Sequence, residues 1–214
     1  MHVLDAEAGA VLSAITTPYP CALEVIGGEH VREGAACTTY GYVIEGPARV
    51  EAVGMRCELD EGAVFAVPGR LIVTTSGRVV LITRIGFLGI VTVSAIESRG
   101  RLSYIDGCSD SILVSPPRRG DPVLNHLHFP AGVRQTLHRH PSVRLGVVAR
   151  GAGAAFGPGW ERGLSRGQVF LIDAMEAHAF RTEVSSMDVV AFHPEGDWGP
   201  TDEVHPMRNR TTLV

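Results

Sequence analysis

Short runs rich in β-branched and aromatic residues, each bounded by Gly, Pro, Asp or Asn, recur along the chain at close spacing. In the first half they occupy 40–44, 63–67, 71–75, 79–83 and 90–93, and in the second 112–114, 123–129, 143–148, 169–172 and 189–192. Runs of this length separated by turn residues predict strands, and their repetition predicts an all-β sandwich or barrel. Only 5–15 has a helical rhythm, so a short N-terminal helix is expected there. The segment 103–122 carries Gly107, Gly120, Pro116, Pro117 and Pro122 and reads as turns around a boundary near residue 105. The expected domains are therefore 1–105 and 106–214. The two halves share a phrase, since Gly62-Ala63-Val64-Phe65 is echoed by Gly167-Gln168-Val169-Phe170.

Composition narrows the functional classes. The 214 residues include 25 glycines and 13 prolines, with 45% apolar and 20% charged positions, a profile of globular β structure with many turns rather than of disorder. A net charge of −4 and the lack of any basic run with interleaved aromatics argue against nucleic acid as a partner. All 19 basic residues are arginines, which fits a coding bias, so single arginines carry little weight. Residues 1–20 contain no Arg or Lys and include Asp5 and Glu7, unlike a secretory signal, and a cytoplasmic location is expected. The most apolar stretch, 71–93, is interrupted by Gly77, Arg78, Arg84, Gly86 and Gly89, too often for a span of about 20 apolar residues, so no membrane partner is expected. Cys21, Cys37, Cys57 and Cys108 show no C-x-x-C spacing and are expected as free thiols.

Histidine is the asymmetric residue. Seven of nine lie at or after position 126: His126, His128, His138, His140, His178, His193 and His205. In a strand, side chains two apart share a face, so His138 and His140 would present two imidazoles about 7 Å apart at the backbone. His178, following a strand and turn, is the expected third nitrogen donor. His126 and His128 also share one face of a strand. They could act as acid, base, fourth ligand or orienting group, or could face away while Leu127 and Phe129 fill the core.

These residues also carry a family resemblance. Gly132, His138, His140 and Gly151 fall in register with the first motif of the cupins, G-x5-H-x-H-x3,4-E-x6-G, with Arg144 at the Glu position. The span 167–182 is similar to the second motif, G-x5-P-x-G-x2-H-x3-N, where Gly167 and His178 match while Asp173, Met175 and Thr182 depart from it. In the first half, Gly62 to Pro68 fits the second motif weakly, and Ala35, Thr39 and Val73 stand where ligands would be. The resemblance implies two tandem cupin (jelly-roll) β-barrels, the first a structural partner without metal, and a homodimer.

It further implies one divalent metal ion per chain on His138, His140 and His178. Fe(II) is the first choice and Mn, Ni, Zn or Cu are alternatives. Three-histidine cupins include iron-dependent dioxygenases, which is the activity the resemblance suggests. Isomerase or lyase chemistry, or ligand binding without catalysis, are the other readings. Three neutral imidazoles leave the ion its full charge and so favour a small anionic substrate. Arg144 could anchor a carboxylate through its planar fork or could turn outward. The segment beyond His193, with His205, reads as a lid or a dimer arm.

Overall fold

The computed structural model describes residues 1–34, 36–208 and 211–212. Among them no α-helix occurs; the chain is built from strands, with one 3-10 turn at Ile105–Gly107. The first half contains β1 (His2–Asp5), β2 (Val11–Ala14), β3 (Cys21–Arg32), β4 (Cys37–Glu45), β5 (Ala48–Ala52), β6 (Met55–Leu59), β7 (Ala63–Pro68), β8 (Leu71–Ile85) and β9 (Thr92–Ala95). The second half contains β10 (Leu102–Ser103), β11 (Ser109–Val114), β12 (Val123–Phe129), β13 (Arg144–Gly157), β14 (Trp160–Ser165), β15 (Gln168–Ile172), β16 (Ala179–Arg181) and β17 (Met187–His193).

Every strand pairing is antiparallel, and the strands divide into two sheets. One runs β2-β3-β8-β4-β7-β9, with β5 on β8 and β6 on β5. The other runs β1-β15-β13-β17-β12-β11-β10, with β14 and β16 on the far end of β13. The fold is all-β, as the alternation of apolar runs and turns implies. The strand β1 does not join the sheet of its own half. It pairs with β15 from His2↔Leu171 to Asp5↔Gln168, so the chain begins in one sheet and crosses to the other at 6–10.

Two local expectations are corrected. No helix forms over 5–15: the chain leaves β1 at Asp5, turns at Gly9 with a φ of +94°, and resumes as β2. Leu12 and Ala14 are buried while Val11 and Ser13 are exposed, which is period two, and the spaced alanines of this segment had imitated a helical stripe. The runs 71–75 and 79–83 belong to one continuous strand, β8, because Gly77 marks an irregularity rather than a turn. A Cβ at Gly77 would lie 1.9 Å from the Glu45 carbonyl oxygen, so the strands approach here only without a side chain.

Alternation along the strands yields three apolar cores. Phe65, Val67, Leu71, Val73 and Leu81 fill the inside of the first sheet, and Phe129, Phe170, Phe180, Met187 and Val189 lie inside the second. The third core lies between the sheets, where Tyr40, Tyr42, Val64 and Ile82 meet Leu124, Leu145, Val147, Val190 and Phe192. The rings of Tyr40 and Phe192 approach to 4.8 Å there. Central strands are therefore buried on both faces, and β4, β12 and β17 are buried at most of their positions, odd and even alike.

The repeated phrase corresponds to a repeated contact. Phe65 lies opposite Gly41, and Phe170 opposite Gly146, at positions 105 residues apart in the two halves. A Cβ would stand 2.0 Å from the Phe65 ring at Gly41 and 2.4 Å from the Phe170 ring at Gly146. Each glycine leaves the space its facing phenylalanine occupies. Gly62 and Gly167, which open the phrase, both hold the left-handed backbone, with φ of +87° and +84°.

Candidate metal centre

His138 and His140 lie just before β13, and His178 just before β16, in loops at one end of the second barrel. The segment carrying His138 and His140 is not the regular strand that the spacing suggested. It touches its neighbour through an isolated bridge in which His138 N–H donates to the His178 carbonyl at 3.0 Å and His178 N–H donates back at 2.9 Å. A further bond from Met175 N–H to the His140 carbonyl, 2.8 Å, ties the two loops together. Met175 takes the left-handed conformation with φ +61°, at the place where the second cupin motif has a glycine.

These bonds bring the three imidazoles together. Ring centroids are 4.7 Å apart for His138 and His178, 5.1 Å for His138 and His140, and 5.2 Å for His140 and His178. One nitrogen from each ring lies within 4.8 Å of the others. Nδ1 of His138 is 2.9 Å from the Thr136 carbonyl, and Nδ1 of His178 is 2.8 Å from the Glu176 carbonyl. A carbonyl oxygen can only accept, so each Nδ1 carries the proton and each Nε2 keeps its lone pair. Burial lowers the pKa of His140 to about 3, helped by Arg144 and the other two rings. Burial lowers His178 to about 4, against the opposing hydrogen bond to the Glu176 carbonyl. Three imidazoles converging at this spacing, two of them oriented through Nδ1 by backbone carbonyls, suit a borderline divalent ion, so this donor set fits a metal.

The three rings line a small cavity of about 60 Å³ inside the barrel, walled by Leu127, Phe129, Phe170, Phe180 and Val189. Arg144, the first residue of β13, turns inward and lines the same cavity with only 7% of its surface exposed. Its Nη1 donates to the Ser142 carbonyl at 3.2 Å, Ser142 Oγ at 2.7 Å and the Val143 carbonyl at 3.0 Å, whereas its Nε is buried with no partner. Among the described residues no carboxylate lies within 4.0 Å of it. Burial pulls its pKa down to about 10, with Glu195, Tyr104 and Asp197 acting the other way. A guanidinium held in this way is a cation in want of an anion.

His126 and His128 are not part of this site. On β12 the odd positions Leu127 and Phe129 face the cavity, so the even positions face away from it. His126 is fully buried, and its Nε2–H donates to Asp188 Oδ1 at 2.8 Å; His128 Nδ1–H donates to the same oxygen at 2.8 Å. Burial would raise the pKa of Asp188, but the bonds from the two imidazoles outweigh it and lower it. The acid, base or orienting role expected of His126 and His128 is therefore withdrawn, because strand parity points them at Asp188 of β17.

His193 and Asp110 are among the cavity residues that the sequence did not reveal. His193 follows the odd positions Val189 and Ala191 along β17 into the cavity, and its ring is 6.1 Å from that of His140. Burial and the neighbouring Arg144 keep it neutral, with its pKa well below the ordinary histidine range. The signal was present as a period of two, but it ended in the residue taken as the start of the tail. Asp110 of β11 also lines the cavity, and nothing around it in the sequence distinguishes it from a surface acid. In the first barrel, Val73 stands 105 positions before His178 and is fully buried in an apolar interior. Ala35, the counterpart of His140, lies outside the described residues.

No family model matches the chain, and no curated protein matches it. Solved structures do. A cupin 2 conserved barrel domain protein from Leptotrichia buccalis is similar over 87% of this chain and 89% of its own, with a TM-score of 0.62 and 17% identity. A putative glyoxylate induced protein from Pseudomonas aeruginosa covers 90% of this chain and 81% of its own, with a TM-score of 0.70 and 13% identity. A salicylate 1,2-dioxygenase from Pseudaminobacter salicylatoxidans covers 81% and 70%, with a TM-score of 0.62 and 12% identity. At these identities the likeness is one of fold, and the fold is that of the cupins. No helix among the described residues is long and apolar enough to cross a membrane.

Proposed function

We propose that the chain is a metal-dependent enzyme of the cupin type acting on a small anionic organic substrate, with a mononuclear non-haem Fe(II) dioxygenase as the first reading. One observation carries it: three imidazole nitrogens within 4.8 Å of one another share a cavity with a buried guanidinium that, among the described residues, has no carboxylate partner. A divalent ion on His138, His140 and His178 would supply Lewis acidity and, if iron, access to dioxygen. The chain's own residues do the rest. Thr136 and Glu176 carbonyls fix the tautomers of His138 and His178, Arg144 holds the substrate's anionic group, and the phenylalanine walls exclude water. The salicylate 1,2-dioxygenase among the fold neighbours supports reading oxygenase chemistry before isomerase or lyase chemistry. The first barrel, with a largely apolar interior and no histidine at the matching positions, serves as a structural partner.

Metal analysis of untagged protein tests this reading. One ion per chain is expected, falling to less than a tenth in His178→Ala with the β-sheet circular dichroism retained. Wild-type protein that neither carries nor takes up Fe(II), Mn(II), Ni(II), Zn(II) or Cu(II) on titration would sink it. With metal in place, oxygen uptake on a panel of small carboxylates separates dioxygenase from non-redox chemistry.

A further inference from the structure

The cavity has a second polar end that the metal and Arg144 do not use. Asp110 of β11 lines it, and Asn125 of β12 lies on the same face of its strand as the lining residues Leu127 and Phe129. Asn125 Nδ2 donates to Asp110 Oδ2 at 2.7 Å. That bond leaves two oxygens over, Asp110 Oδ1 and Asn125 Oδ1, both buried and, among the described residues, both without a donor. Two acceptors unsatisfied side by side are costly unless a ligand supplies the missing donors. At the other end Arg144 offers the opposite, a buried donor without an acceptor, and the two ends do not pair with each other. Between them Tyr104 presents a ring to the same cavity, near enough for both charges to act on its hydroxyl. Burial also raises the pKa of Asp110, partly offset by Asn125 and His126, as befits a carboxyl with too few donors.

Resting on the proposed function for its anionic end, we propose that this cavity selects a bifunctional substrate: a small carboxylate whose far end carries a hydroxyl or amino group, seated on the Asp110 carboxyl that Asn125 holds in place. Arg144 takes the carboxylate and Asp110 is the specificity-determining residue for the distal donor. Matching an apolar chain length to the cavity then decides which member of the class fits. A substrate with a carboxylate alone would leave the Asp110 end unsatisfied, which is the strong form of discrimination that buried polar groups provide.

Isothermal titration on the protein as purified, with metal measured on the same sample, tests this. The probes are propanoate, butanoate and pentanoate beside their ω-hydroxy and ω-amino counterparts. At one chain length the ω-substituted acid should bind at least about tenfold tighter than the plain acid, in line with a hydrogen bond to a charged or buried acceptor. Hydroxy and amino probes distinguish which donor is preferred. In Asp110→Asn that preference should fall below about twofold, whereas Arg144→Gln should weaken plain and substituted acids alike while keeping the preference. Equal binding of plain and substituted acids at every length, a preference untouched by Asp110→Asn, or no binding of any probe would overturn the proposal. Protein that takes up none of Fe(II), Mn(II), Ni(II), Zn(II) or Cu(II) on titration yet still shows the preference would remove the metal reading and leave this one standing.

Discussion

Arg144 stands where a cupin would place a carboxylate ligand, and the exchange reverses the charge of that position. Among the described residues its guanidinium lacks a carboxylate partner, so its loss should act on anion binding rather than on the three imidazoles. We expect Arg144→Gln to weaken binding of a simple carboxylate by about 10- to 100-fold in titration, with metal content unchanged. Loss of both together would make the residue a structural prop. The histidines predict a pH dependence of the metal-free protein. His140 and His178 have folded pKa values of about 3 and about 4, below the ordinary 6.5, so below pH 6.5 the unfolded chain binds more protons. The stability they contribute is complete above about pH 6.5 and is lost as pH falls towards 4. Thermal melts of metal-free protein at pH 7 and pH 5 should differ more in wild type than in a His140→Asn, His178→Asn double variant. Met175 is the other residue with a clear expectation. Replacing it by glycine at φ +61° should raise stability by roughly 0.5–1 kcal/mol, read as a higher Tm.

At the scale of the strand, β12 and β17 show both how much of the site was legible and where legibility ended. The run 123–129 predicted from sequence coincides with β12, and the spacing of His126 and His128 correctly put them on one face. Which face looks into the barrel was not readable, because β12 packs on the barrel interior with one side and on the core between the sheets with the other. A strand buried on both sides has no polar edge to mark its outside. The same burial hid His193 at the end of β17. The histidine cluster was legible for a different reason, since His138, His140 and His178 stand out by type and by fixed offsets from Gly132, Gly151 and Gly167. The helical reading of 5–15 failed because alanines fit either period. The glycine–phenylalanine contacts give a test that separates the halves. Gly41→Ala and Gly146→Ala should each destabilise by about 1–3 kcal/mol, because Phe65 and Phe170 are packed with no room to withdraw. Only Gly146→Ala should also weaken metal retention, through Phe170 and Phe180, whose rings lie 6.1 Å apart, and on to His178 at 6.0 Å from Phe180.

Over the whole molecule, the core shared between the sheets makes each half a poor candidate for life alone. A fragment spanning 106–214 would expose Leu124, Leu145, Val147, Val190 and Phe192 and would lack β1 along β15. Such an apolar face predicts association or dye binding rather than a soluble monomer. In the full chain both tryptophans, Trp160 and Trp198, lie in the second half, while circular dichroism reports strands in both. The two signals should therefore follow one coincident urea transition, and separate midpoints would show that the halves unfold independently.

The crossing of β1 has a consequence in time as well as in space. Residues 2–5 are synthesised long before 168–171, the backbone they pair with, so the earliest strand must wait for most of the chain to appear before it can dock. Ribosome-arrested chains stopped short of Gln168 should keep that segment open to proteases, and release past Ile172 should close it.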